Sequence, residues 1–289
     1  MEFQGICHKM HADLASLSIT DQDTERANVQ YTFILDQAKI DLPLTIGQHI
    51  EISWTGKIYC TSCGKKTPKS YAQGHCFQCF KTKASCDMCI MKPETCHYHL
   101  GTCREDDFAK RICFQPHIVY LANSSALKVG ITRIHQMPTR WLDQGASQAL
   151  PIMKVGSRRL SGHLEVMFAE QVADKTDWRK LLKGDAEPID LISLRDELID
   201  EFSSQIELIE DEFSMNFEFD EHVERLDQAK VQEFVYPVSS YPSKIKSHNL
   251  EKALTIQGTL QGIKGQYLIF DTGVINIRKY TGYELVIRN

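Results

Sequence analysis

The sequence predicts an α+β protein: a compact cysteine-rich region and a ββαβα passage, flanked by strand-rich N- and C-terminal segments that form a small β unit. Three observations carry this expectation. Eight of the ten cysteines fall between Cys60 and Cys103. From His117 to Val172 the apolar pattern switches between a two-residue and a helical period. Short β-branched and aromatic runs, most of them separated by glycine-containing turns, fill both ends of the chain.

The ends come first. Val29–Leu35 is β-branched and aromatic, and His49–Gly56 alternates, with Ile50, Ile52 and Trp54 on one face. Ala253–Gln257, Gln266–Phe270, Val274–Arg278 and Glu284–Arg288 repeat that style near the C terminus. Strands of this length and spacing predict a small barrel or sandwich, with the two ends of the chain pairing around the intervening region. At 289 residues the chain is long enough for two or three units. We expect an N-terminal β segment at 1–59, a cysteine-rich region at 60–113, the ββαβα passage at 114–183, an acidic helical segment at 184–225 and a C-terminal β segment at 226–289.

The cysteines fall as Cys60-x2-Cys63, Cys76-x2-Cys79 and Cys86-x2-Cys89, followed by Cys96 and Cys103. Thiolates at this spacing grip one tetrahedral metal from a tight turn. Cys60, Cys63, Cys76 and Cys79 read as a zinc-ribbon-like site. Gly64 suits the turn, because the residue after the second cysteine often needs a positive φ. A second zinc is expected at Cys86, Cys89, Cys96 and Cys103, with His97, His99, His117 and Cys113 as rival ligands. Interleaved pairing between the two sets is open. A disulfide framework is the lesser alternative, since no hydrophobic targeting core precedes the region and C-x2-C pairs are the commoner metal signature inside cells. Cys7, outside the cluster, reads as a buried small hydrophobe.

In the middle of the chain, His117–Asn123 and Leu127–Thr132 predict a hairpin. Met137–Gly145 predicts a short helix with Pro138 in its first turn and Gly145 as its stop. Pro151–Gly156 predicts a third strand, and Ser161 is expected to cap a helix through Val172. In the acidic segment Leu194, Leu198, Phe202, Ile206, Ile209 and Phe213 recur every three or four residues, so one helical face packs inward.

Charge is distributed unevenly. Residues 57–160 hold 16 Lys and Arg against 6 Asp and Glu, and residues 184–224 hold 15 acids against Arg195 alone. The first is a basic platform suited to nucleic acid; each stretch could equally be a solvated face. The acidic block could also cover the basic platform in cis. No apolar run approaches the ~18 residues of a membrane span. A cytoplasmic, reducing location is expected.

The passage Val119–Glu170 resembles the GIY-YIG nuclease superfamily. Val119-Tyr-Leu121 stands where Gly-Ile-Tyr is expected, and Lys128-Val-Gly130 where Tyr-Ile-Gly is expected. The continuation Gly130-Ile-Thr132 is similar to the phage-type branch. Arg140 on the first helix and Glu165 on the helix after the third strand complete the likeness, which covers about a fifth of the chain. The resemblance implies a catalytic set of Tyr120, Lys128, Arg140 and Glu165, with Mg2+ or Mn2+ at Glu165. It departs from the family where Lys128 replaces the second motif tyrosine and where Arg133 is extra. The runs CHYHLGTCRE, VYLANSSALKVGITR and RWLDQGASQALP also resemble an uncharacterised bacterial family filed as a domain of unknown function.

The residue chemistry is compatible with this. A carboxylate holds a divalent cation, an arginine clamps a phosphate bidentately, and a tyrosine orients or deprotonates water, with Lys128, His135 and His163 as helpers. Lys128, Arg133, Arg140, Arg158 and Arg159 could also bind phosphates without cutting them. The ordinary alternatives are a solvated Glu165, a core Tyr120, and an Arg140 that stacks on Trp141 or pairs with Asp143. The expected function is a zinc-containing nucleic-acid-binding protein with a GIY-YIG-like phosphodiesterase site. A non-catalytic DNA or RNA binder and a zinc-knuckle protein–protein adaptor are the alternatives.

Overall fold

The computed structural model describes residues 1–19, 22–36, 38–41, 46–172, 177–184, 186–216 and 222–289. The strands are β1 (Glu2–Ile6), β2 (His11–Ile19), β3 (Thr24–Leu35), β4 (Ala38–Asp41), β5 (His49–Ile58), β6 (His117–Asn123), β7 (Leu127–Arg133), β8 (Gln148–Val155), β9 (Val223–Arg225), β10 (Val231–Val235), β11 (Thr255–Lys264), β12 (Tyr267–Phe270), β13 (Gly273–Asn276) and β14 (Tyr283–Arg288). The helices are α1 (Phe77–Thr82), α2 (Asp106–Phe108), α3 (Thr139–Asp143), α4 (Arg158–Phe168), α5 (Trp178–Leu181), α6 (Leu191–Glu201) and α7 (Ser203–Asn216). The mixed α+β class is as the sequence predicts.

Two sheets organise the chain. The first is six-stranded in the order β1-β14-β5-β11-β12-β13, so strands from both ends of the chain lie side by side. The second runs β2-β3-β10-β8-β6-β7, with β4 on β3 and β9 on β8. The strand-rich ends therefore do not form one unit alone. β2 and β3 leave the N-terminal segment to join the central strands, because β10 bridges them, parallel to β3 and antiparallel to β8.

A shared core explains this division. Tyr31 and Phe33 of β3, Ile118, Tyr120 and Ala122 of β6, and Leu260, Leu268 and Leu285 of the six-stranded sheet belong to one buried cluster. The other face of β6, with Val119 and Leu121, packs against Leu160, Leu164 and Phe168 of α4 and against Leu198, Phe202 and Phe213 of the acidic helices. β6 is buried along its whole length. Its alternate side chains serve two cores, which is why it reads as a continuous apolar run.

The order β6, β7, α3, β8, α4 gives the expected ββαβα passage, with β6 central and antiparallel to both neighbours. The boundaries differ: β8 begins at Gln148 rather than Pro151, and α4 ends at Phe168 rather than Val172. α4 begins at Arg158, and its cap is Ser157, whose side chain accepts from the Leu160 N–H. Ser161 lies inside the helix and donates to the Arg158 carbonyl at 2.7 Å. The chain leaves β8 earlier than apolar spacing implies, which brings Arg158 and Arg159 into the first turn of the helix. The acidic segment is two helices, broken at Phe202. Its residues 185 and 217–221 lie outside the described set.

Candidate functional site

The cysteine region begins where β5 ends. Cys60, Cys63, Cys76 and Cys79 bring their sulfurs within 4.8 Å of one another. Cys63 Sγ and Cys76 Sγ are 3.9 Å apart. A tetrahedron of Zn–S bonds of about 2.3 Å puts its sulfurs ~3.8 Å apart, so this donor set fits a zinc ion. The turn is closed by Gly64, at φ +72°, whose N–H donates to the Cys60 carbonyl at 2.8 Å. Cys79 enters from the first turn of α1. Burial alone would raise the Cys60 thiol, but N–H groups of Cys76, Cys63 and Ser62 aim at its sulfur and bring it down to about 6. The Cys76 N–H lies 3.2 Å from that sulfur. These donors prepare a thiolate before any metal arrives.

The expected second set of Cys86, Cys89, Cys96 and Cys103 does not close among the described residues. The second group that could hold a metal is Asp87, Cys89 and His97, also within 4.8 Å of one another. The reason is local. Cys86 ends one 3-10 turn and Cys89 sits in the next, with Asp87 extended between them and capping the second turn. The two cysteines thus belong to successive turns, where Cys60 and Cys63 share one knuckle. Cys103 instead donates toward the Glu105 carbonyl at 3.6 Å. Cys96 lies beside Cys89, and the Cys89 thiol donates to it and lowers its pKa to about 6 against the effect of burial. Of the rival ligands, His97 joins this group, at 3.6 Å from Asp87. His99 lies against Arg159. His117 is buried, with Nδ1 on the Gln115 carbonyl at 2.6 Å. Cys113 is buried, which raises its thiol to about 11. Cys7 is fully buried, the small hydrophobe expected of it.

The ββαβα passage brings a different cluster together. Tyr120 stands opposite Gly130 across the hairpin. A Cβ on Gly130 would lie 2.7 Å from the Tyr120 hydroxyl and Cζ, so the ring rests directly on the glycine backbone. Tyr120 is fully buried, edge-on to Trp141 at 5.8 Å. Its hydroxyl donates to Gln144 Oε1 at 3.1 Å, and Lys128 Nζ donates to the same oxygen at 2.7 Å. Burial drops the Lys128 ammonium to about 7, with Arg140 adding to the fall and Glu165 opposing it. Burial raises the Tyr120 phenol, while Arg140 lowers it by charge and by hydrogen bond, and Glu165 raises it. The four side chains Tyr120, Lys128, Arg140 and Glu165 thus act on one another. Among the described residues no group of three metal-ligating side chains forms around Glu165.

Of the other expected residues, Arg158 is tied to this centre by charge. Arg158, which is sensitive to the charges of both Arg140 and Glu165, donates to the Ile90 carbonyl at 2.7 Å. Arg159 sits over the Phe213 ring at 5.4 Å, under α7. Arg133 is half-buried, and burial lowers its pKa. His135 is exposed, and His163 packs on Phe213 at 5.1 Å.

Three participants escape a reading of the sequence. Gln144 follows α3 and carries no motif. Arg278 comes from the turn after β13, and the charges of Arg140 and Asp143 both bear on it. Gln73, from the loop between the two cysteine pairs, accepts from Arg278 Nε and Nη2 at 3.3 and 3.0 Å. Asp143 is anchored by Lys9 at 2.7 Å and by Gln266 at 2.8 Å, which ties α3 to the six-stranded sheet.

Residues 47–285 match the family described as "Protein of unknown function (DUF2797)". The chain belongs to that family. No curated protein and no solved structure matches it. Among the described residues no helix is long and apolar enough to cross a membrane.

Proposed function

We propose that this DUF2797 protein binds nucleic acid through a phosphate-reading site made by Tyr120, Lys128, Arg140 and Glu165, and that the site is a GIY-YIG-like phosphodiesterase centre. The observation that carries the reading is the convergence of these four side chains from β6, β7, α3 and α4. The pairing of Tyr120 with Gly130 also fits a module whose two opening strands carry a tyrosine motif and a glycine motif. Arg140 clamps the phosphate, and Lys128, titrating near neutrality, moves a proton or neutralises a second oxygen. Gln144 fixes the Tyr120 hydroxyl. Glu165 would hold Mg2+, which takes one or two carboxylates together with water and phosphate oxygens, and the bound ion supplies Lewis-acid chemistry. The cation at Cys60, Cys63, Cys76 and Cys79 is zinc, and it shapes the platform.

One observation favours a narrower reading, in which the site binds without cutting. Tyr120 is fully enclosed and its hydroxyl is already committed to Gln144. The two readings separate in an assay of labelled DNA and RNA with Mg2+. Cleavage by the wild type, lost in Glu165→Gln with binding retained, supports the phosphodiesterase. Binding without cleavage in the wild type supports the narrower reading, and no binding at low salt removes both.

A further inference from the structure

The cysteine loop exposes large aromatic side chains beside lysines. Tyr71 is 41 % exposed, Phe77 51 % and Phe80 37 %. They form one group: the Tyr71 ring is 5.2 Å from Phe77 and 6.2 Å from Phe80, nearly parallel to the latter at 26°. Lys69 lies over the Tyr71 ring at 5.5 Å and Lys81 over Phe77 at 5.4 Å. From residue 57 to 86 the chain has six lysines and no acid. Exposed rings of this size cost solvation, and their lysines keep any basic or neutral apolar partner from being the natural complement. A π-face bearing negative charge alongside is the complement, and that is a nucleobase on a phosphodiester backbone.

The platform is also continuous with the site above. Gln73, two residues from Tyr71, holds Arg278, on which the charge of Arg140 bears. Ile277, next to Arg278, donates to the Gln266 carbonyl at 2.9 Å, and Gln266 in turn holds Asp143 of α3. A chain of hydrogen bonds therefore runs from the aromatic loop to the helix that carries Arg140.

We infer that Tyr71, Phe77 and Phe80 form a stacking platform for the bases of single-stranded nucleic acid, with Arg278 as the phosphate contact between that platform and the Arg140 site. This deepens the proposed function and rests on it. Duplex bases are already stacked and cannot use such a platform, so the preference is for a single strand.

The test is fluorescence anisotropy with a labelled twelve-nucleotide deoxythymidine strand and a duplex of equal length, on the full chain with its metal. The wild type should prefer the single strand. Tyr71→Ala and Phe77→Ala should each weaken it roughly tenfold, near the lower end of what base–aromatic stacking contributes, and leave duplex binding unchanged. Tyr71→Phe should bind as the wild type. Zinc content and melting temperature establish that each variant is folded. Because Phe77 lies between two cysteines, Lys69→Glu with Lys81→Glu gives a second route and should weaken single-strand binding without touching the loop core. If the aromatic and lysine variants all bind as the wild type while Arg140→Ala weakens binding, the platform is wrong and the phosphate site stands. If the aromatic variants change only the association state of the chain, the rings cover a second copy and the inference is overturned. A wild type that binds neither probe at low salt overturns both.

Discussion

The Cys60–Cys79 cluster and the Tyr120 cluster are unbalanced in opposite senses. The first gathers four thiol donors within 4.8 Å, with backbone N–H groups already favouring one thiolate. Four thiolates this close would repel by roughly 4 kcal/mol per pair at an effective dielectric of about 20, so they need a cation between them. The second gathers Lys128, Arg140 and Arg158 near Glu165, with Arg278 beside Arg140 and Asp143, and Arg158 and Arg278 bonded to neutral oxygens. That cluster holds more cationic than anionic side chains, Glu165 and Asp143 being its acids. A metal that arrives with folding fits the first, and the proposed function requires a phosphate as ligand at the second.

The comparison is broken most severely by Cys60→Ser. Structural zinc contributes on the order of 10 kcal/mol or more to folding such sites. The variant should lose metal and become protease-sensitive across residues 60–83, while Cys86→Ser keeps the metal of that site, although both cysteines belong to C-x2-C pairs. Retained metal and protease resistance in Cys60→Ser would show the knuckle to be a packing motif only. The Asp87, Cys89 and His97 group is the intermediate case. Cys89→Ser should reduce any second bound metal, and Cys103→Ser should not, as read by metal titration against a chromogenic chelator.

Next in size is the buried lysine. The folded pKa of Lys128, about 7, lies below its ordinary 10.5. Between those values the unfolded chain holds a proton that the folded chain has released, so stability rises with pH across that window and the penalty is fully present below it. Lys128→Met should flatten this rise in urea unfolding from pH 7 to 10. An unchanged profile would assign the rise to other groups. Anion binding should show the reverse trend, weakening as pH climbs through 7 and the ammonium is lost.

Gly130→Ala tests the ring-on-backbone contact. A methyl placed 2.7 Å from Tyr120 forces the ring or the hairpin to shift, at about 1–3 kcal/mol for overpacking. A denaturant midpoint equal to wild type would mean that the ring moves freely. The smallest effect belongs to the cap of α4, the helix that delivers Arg158 and Glu165. Ser157→Ala should cost about 1 kcal/mol. Ser161→Ala should cost less, since Ser161 bonds within the helix.

These differences also explain what could be read in the sequence. The first four cysteines were legible because a knuckle is local: two cysteines, a glycine with positive φ, and a second pair on a helix start. The hairpin was legible because Tyr120 and Gly130 are joined by a short turn. The second metal group is harder to read: Asp87, extended between Cys86 and Cys89, joins Cys89 and His97 in the group that could hold a metal, and spacing alone does not report backbone direction. Reading the apolar face of α4 from Leu164 favours Ser161 as its cap, whereas the buried face begins a turn earlier, at Leu160, after the Ser157 cap. Arg278 and Gln73 meet across 205 residues, and Gln144 meets Tyr120 and Lys128 from the end of α3; no local pattern marks any of the three. The same holds for β2 and β3, whose place beside the central strands is set by β10, far along the chain.

The proposed function requires the Tyr120 cluster to take an anionic ligand. The most direct measurement is the salt dependence of oligonucleotide affinity for wild type and Arg140→Ala. The account predicts that log affinity falls linearly with log salt, and that Arg140→Ala binds more weakly with a slope shallower by about one phosphate contact. Affinity that is insensitive to salt, or a slope and affinity unchanged by Arg140→Ala, would contradict it.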